Sequence, residues 1–316
     1  MRRPPFDAEL EPELKALTEE IPSTITQEMI PALRAMADSA PALETIMVRG
    51  FSRRDVTIVG HDGGEIVVSV LAKKGRAGAG PGIFYVHGGG MITGERFGGI
   101  DIVLGWLEAV NGVCVSVEYR LAPEFPDPYP IEDCYLGLLW TSEHALELDI
   151  DLDRLIVAGR SAGGGLAAGL ALLARDRRGP ALAGQLLMCP MLDDRDATVS
   201  SRQIDGVGTW DRGSNVTGWR ALLGDRRATG DVSIYAAPGR ATDLSRLPPA
   251  YVDCGSAEVF RDEDVAYATG LWAAGVQAEL HVWDGGFHGF DRYLPNAVVS
   301  RACRAARDTW VARILT

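Results

Sequence analysis

The sequence predicts an α/β fold, a mostly parallel sheet of about eight strands covered by helices on both faces. Three observations carry that expectation. Short apolar runs alternate with longer stretches of helical period along most of the chain. A length of 316 residues with 47% apolar composition suffices for a large buried core. Glycine-rich turns follow two of the apolar runs directly, at 87–90 and 159–163.

The elements follow in order. Residues 1–50 are rich in Glu, Leu, Ala and Pro and read as two or three short helices, with Pro22, Pro31 and Pro41 as breaks. Residues 55–60, the turn His61-Asp62-Gly63-Gly64 and residues 65–72 read as a β-hairpin. Residues 75–82 form a flexible Gly/Ala connector. The stretch 83–86 is a buried strand, 100–110 a helix, 113–117 a strand, 129–148 a long helix and 155–158 a strand. A Gly- and Ala-rich helix covers 162–175. Strands at 186–189, 251–254 and 278–283, with helices at 262–274 and 295–315, complete the pattern. Residues 193–238 break it: they carry Asp, Arg, Gly and Trp with no strand period and are too long for a simple loop. They read as a helical insertion after the sixth strand. The expected organisation is a core of 51–192 and 239–316, capped by the 1–50 helices and the 193–238 insertion.

Gly159-Arg160-Ser161-Ala162-Gly163 has the G-x-S-x-G spacing of a nucleophile elbow. In a chain with 37 glycines such a match arises easily by chance, but the strand before it and the helix after it are the context the elbow requires. Small residues two before and two after Ser161 relieve a crowded turn. The G-x-G-x-x-G dinucleotide reading fails for lack of that spacing at a strand–helix junction. His87-Gly88-Gly89-Gly90 follows its own strand and offers backbone N–H groups without side-chain obstruction. The N–H groups of Gly88, Gly89 and Ala162 are the candidate oxyanion donors. A nucleophile beside an oxyanion cradle implies acyl transfer, most simply ester hydrolysis.

Five histidines compete for the base. His87 belongs to the glycine loop, His61 to the hairpin turn, His144 to a helix surface and His281 to the last strand. His288, in Gly285-Gly286-Phe287-His288-Gly289-Phe290, stands just past that strand on a loop able to reach the serine. Chain order Ser, acid, His also favours it. The acid belongs on the loop after 250–254, where Glu258, Asp262, Glu263 and Asp264 are available. Asp262, Glu263 and Asp264 fit the first turn of the next helix, where carboxylates meet the positive dipole end. Glu258, earlier in the loop, is the choice.

Composition narrows the partners. A net charge of −12 argues against nucleic acid and against anionic membranes. The longest apolar run, 166–174, is interrupted by Gly169 and followed by Arg175, Arg177 and Arg178, short of a membrane span. The N-terminus lacks the apolar stretch of a secretory signal, so a cytoplasmic enzyme is expected. The five cysteines read as buried free thiols, and no CxxC or Cys/His cluster suggests a metal.

The His87–Gly90 loop, the 159–164 elbow, Tyr119-Arg120-Leu121-Ala122-Pro123-Glu124, Arg261-Asp262-Glu263 and Phe287-His288-Gly289-Phe290 together resemble the hormone-sensitive-lipase-like bacterial esterases of the α/β-hydrolase superfamily. The resemblance covers about residues 50–316. It implies an α/β-hydrolase fold, carboxylester hydrolysis of short to medium acyl chains, no cofactor, a helical cap and, in many members, a homodimer along the last strand's edge. The family acid opens a D-P-L-x-D-E segment, which falls on Glu258-Val259-Phe260-Arg261-Asp262-Glu263 and so on Glu258.

Two departures stand out. The acid is Glu where Asp is commoner. The elbow carries Arg160 where the family has Asp, a cation that either pairs with a carboxylate such as Glu124 or approaches the substrate pocket. Phe97, Trp210 and Phe290 are candidate pocket residues, with Phe6, Phe51 and Trp219 as further aromatics that also suit core packing. The expected reaction is two-step hydrolysis through Ser161, His288 and Glu258. The same triad also suits amide or peptide bonds, and the same fold suits a non-catalytic small-molecule receptor.

Overall fold

The computed structural model describes residues 1–36 and 39–316. Three short helices open the chain: α1 (Glu11–Glu20), α2 (Ile30–Ala35) and α3 (Ala40–Val48). Each has a proline in its first two positions, where a missing N–H leaves no intrahelical bond unmade. Pro31 and Pro41 therefore start helices instead of breaking them; Pro22 lies just past the end of α1.

The hairpin is β1 (Phe51–Val59) and β2 (Glu65–Lys73), antiparallel from Phe51↔Lys73 to Val59↔Glu65. There follow β3 (Gly80–Val86), α4 (Ile100–Val110), β4 (Val113–Glu118), α5 (Tyr129–Glu143), β5 (Ile150–Arg160), α6 (Ala162–Arg177) and β6 (Gly184–Met188). The insertion contributes α7 (Val199–Gln203) and α8 (Arg212–Leu223). Then come β7 (Ala250–Gly255), α9 (Arg261–Ala273), β8 (Ala278–Trp283), α10 (Phe290–Tyr293) and α11 (Val298–Leu315). The sheet runs β1-β2-β4-β3-β5-β6-β7-β8, antiparallel at β1/β2 and β2/β4 and parallel from β4 onward.

The two faces bury different clusters, and β3 displays the period of two that separates them. Phe84 and Val86 join the core beneath α5, α6 and α9, whereas Ile83 and Tyr85 join the core beneath α4 and α11. Trp106 and Trp310 fill the second core and Trp219 the first.

Several element boundaries differ from the sequence expectation, three of them with a clear local cause. The supposed connector at 80–82 is strand, because Gly82 lies against Ile150 and Leu155, where a Cβ would come within 2.8 Å of both. The helix from 129 stops at Glu143; residues 144–149 turn, with Asp149 at φ +53°, to feed a longer β5. The last helix begins at Val298, after the separate short α10.

The N-terminal helices divide. Residues 23–25 are pinned to the insertion: Thr24 Oγ1 donates to Asp211 Oδ2 (2.6 Å), Ile25 N to Ser214 Oγ (2.8 Å) and Ser214 Oγ to the Ser23 carbonyl (2.9 Å). By contrast, Ile46 of α3 packs in the core beneath α4, and Leu14 of α1 packs against Phe287 and Phe290. Parallel strands β3, β5, β6, β7 and β8 all end on one side, so the loops after them converge there.

Candidate active site

Ser161 sits between β5 and α6 at φ 56°, ψ −123°, a backbone that L-residues rarely adopt. The turn is held by Ser161 N donating to the Met188 carbonyl (2.8 Å) and by Met191 N and Gly165 N donating to the Ser161 carbonyl (both 3.0 Å). Gly159 and Gly163 meet the crowding the motif implies: a Cβ on Gly159 would strike the Gly163 carbonyl, and one on Gly163 the Val86 and His87 carbonyls.

The loop after β3 faces this turn. A Cβ on Gly88 would come within 2.8 Å of the Arg160 carbonyl, and Gly89 (φ +121°) and Gly90 (φ +63°) hold glycine-type conformations. His87 stacks on Tyr119 at 4.2 Å and is hydrogen-bonded through Nδ1 to the Gly88 carbonyl; burial keeps it neutral by lowering its pKa. Tyr119 in turn donates to the His87 carbonyl (3.0 Å). Ala162, buried, is the first residue of α6.

His288 lies on the loop after β8, with Nε2 2.9 Å from Ser161 Oγ. Thr209 of the insertion donates to the His288 carbonyl (2.6 Å), and Phe260 packs edge-on to the ring at 5.1 Å. Glu258 is buried after β7: Oε2 accepts from Gly255 N (3.1 Å), and Oε1 lies 3.6 Å from His288 Nδ1, beyond hydrogen-bond length. Burial works against a charged imidazole, but the neighbouring Cys189 sulfur and Glu258 carboxylate outweigh it and push the His288 pKa up to about 10.

Asp262, Glu263 and His281 have other partners. Asp262, Glu263 and Asp264 lie in the first turn of α9. Asp262 accepts from Ser200 N (2.7 Å) and Glu263 from Leu192 N (2.7 Å), anchoring the start of the insertion. His281 contacts Glu279 at 2.9 Å and stacks on Trp283, while His61 sits in the hairpin turn and His144 just past the end of α5.

Arg160 does not pair with Glu124, which is held by Arg34 at 2.9 Å. Its guanidinium is bidentate on Asp291, both contacts 2.8 Å, three residues past His288. Asp291 also meets Arg307 (2.5 Å), which reaches on to Asp253 (2.7 and 3.0 Å). All four groups are buried. Burial disfavours the Asp291 carboxylate, but Arg160 and Arg307 hold its pKa far below the usual carboxylate range.

A cavity of about 340 Å³ opens over Ser161 and His288. Gly88, Gly89, Gly90, Arg160, Trp210, Arg292 and Tyr293 line it, joined by Ile21, Ile25 and Leu33 of the N-terminal segment. Of the expected pocket aromatics only Trp210 reaches it. Phe97 instead packs in the core beneath α4, and Phe290 packs with Phe6 and Phe287, because both rings complete apolar clusters behind the loops. Asp291, Tyr293 and the N-terminal apolar residues went unforeseen; the one signal for Asp291 was an elbow cation that needs a buried partner. Among the described residues no helix is long and apolar enough to cross a membrane.

Residues 83–292 match the family described as alpha/beta hydrolase fold. The chain is 33% identical to Esterase LipI of Mycobacterium tuberculosis over 247 residues, covering 73% of this chain and 72% of that protein. It is 36% identical to Carboxylesterase NlhH of the same species over 222 residues, covering 66% of each. Among solved structures it superposes on a bacterial heroin esterase with a TM-score of 0.87, 37% identity and 98% coverage of both chains. With the family match spanning most of the chain and the fold shared end to end, this protein belongs to the α/β-hydrolase fold family, in its hormone-sensitive-lipase-like group.

Proposed function

We propose that this protein is a serine carboxylesterase. The observation that carries the reading is the 2.9 Å approach of His288 Nε2 to Ser161 Oγ, at a strained strand–helix turn facing the Gly88–Gly90 loop. The esterase names of the similar proteins support the reaction class. Ser161 attacks the ester carbonyl as His288 Nε2 takes its proton. The N–H groups of Gly88, Gly89 and Ala162 receive the oxyanion, each donor worth about 3 kcal/mol. His288 returns the proton to the departing alcohol, and water releases the acyl group by the same path. Glu258 fixes the imidazole tautomer once its 3.6 Å gap closes in the substrate complex.

The cavity's size and its apolar rim of Ile21, Ile25, Leu33 and Trp210 suit short to medium acyl chains, with the 21–33 part of the N-terminal segment and residues 193–238 as the cap. Ser161→Ala is expected to abolish turnover of p-nitrophenyl butyrate while its melting temperature stays near wild type; retained turnover overturns the assignment. Glu258→Gln is expected to lower kcat by about 10³–10⁴-fold. An acetate-to-laurate series checks chain preference, and matched ester and amide pairs separate ester from amide hydrolysis. The β8 edge, with Val282 exposed, is the proposed seam of a homodimer; sedimentation at the single-chain mass of 33.9 kDa excludes it.

A further inference from the structure

We propose that Cys189, Glu258 and His288 form a site for a soft divalent cation of the zinc class, whose occupancy switches hydrolysis off. The inference rests on the reading of His288 as the base for Ser161.

The three residues follow β6, β7 and β8, and one ligating atom from each lies within 4.8 Å of the others. His288 Nε2 is engaged by Ser161, so Nδ1 is the ring nitrogen left to bind. Nδ1 and Glu258 Oε1 are both buried without a hydrogen-bond partner. Their 3.6 Å separation is too long for a hydrogen bond but close to the ~3.4 Å that two nitrogen or oxygen ligands take on one tetrahedral zinc. Asp264, next to Glu258 in this buried cluster, is also unpartnered at both oxygens. A buried carboxylate oxygen with no partner, such as Glu258 Oε1, is costly, and a bound cation removes that cost.

The donor chemistry selects the ion. Sulfur, imidazole nitrogen and carboxylate oxygen together suit zinc, whereas magnesium and calcium want oxygen alone. The proton balance then explains the switch. Cys189 gives its thiol proton and His288 its Nδ1 proton to solvent, and the thiolate with the Glu258 carboxylate neutralises the two charges of the ion. The metal takes the lone pair at Nδ1, so the single imidazole proton sits on Nε2. Nε2 still faces Ser161 Oγ but has no lone pair with which to accept the hydroxyl proton. No CxxC-type motif announced the site, because its ligands come from three separate strand ends.

The test uses the full chain freed of metal with EDTA, then titrated with zinc chloride and, separately, cobalt chloride. Ester hydrolysis is expected to fall at least tenfold at about one equivalent of zinc, to return with EDTA and to be unmoved by magnesium. Cobalt is expected to give a thiolate-to-metal absorption band. Cys189→Ala, referenced to its own zinc-free rate, is expected to need at least tenfold more zinc and to lose the band. Cys189→Ser, which keeps shape but not softness, serves if the alanine variant does not fold. Equal zinc sensitivity of wild type and variant, or no thiolate band in the wild type, overturns the site. If the metal-free wild type turns over no ester, the esterase reading fails by itself, and the cobalt band still decides whether the ion is held.

Discussion

Arg160 is a buried cation beside Ser161, and Asp291 is the group that makes it tolerable there. The pair ties the elbow to the loop bearing His288. Asp291→Asn leaves the buried Arg160 charge without a partner, so it is expected to destabilise the fold by about 3–5 kcal/mol, measured by urea unfolding. A change below 1 kcal/mol would show that the network is dispensable. The sign with pH follows from the depressed Asp291 pKa. Its contribution is present at neutral pH and is lost on acidification below the normal carboxylate range. His288 behaves in the opposite sense. Its raised pKa gives stability below pH 6.5 that fades as pH climbs toward 10, while the neutral, base-competent fraction grows. The ascending limb of kcat/KM is therefore expected above pH 6.5; a limb at or below that value contradicts the assigned environment.

At the scale of elements, the elbow depends on α6 approaching β3 more closely than any side chain permits. Gly163→Ala places a methyl against two backbone carbonyls that cannot move without shifting the strand. The expected cost is at least ~2 kcal/mol, read as a lowered midpoint in thermal unfolding. The elbow, the glycine loop and most helices were legible from the chain, because each is a local demand on φ, ψ or hydrophobic period. The start of β5 was not. Its extension back to Ile150 depends on pairing with β3 through a register shift at Pro81/Gly82, which local propensity does not encode.

Across the whole molecule, residues 21–33 and the insertion meet above the cavity, fastened at Ser214. Ser214→Ala removes both of those hydrogen bonds, at an expected cost of about 1–3 kcal/mol. Limited proteolysis is expected to cut the first 36 residues faster in the variant while the sheet resists. Equal rates would mean that packing, not this fastening, holds the segment down.

The chain by itself determined the fold class, the serine turn and the glycine loop after β3, since glycine spacing and apolar period act within a few residues. It also pointed to His288 and Glu258 through their order after successive strands. Only tertiary structure decided that Arg160 pairs with Asp291, that Cys189 lies beside the imidazole, and that Trp210 reaches the cavity while Phe97 and Phe290 do not. Those outcomes depend on contacts between residues far apart in the chain, and an aromatic or a charge reads the same in a sequence whichever neighbour the fold supplies.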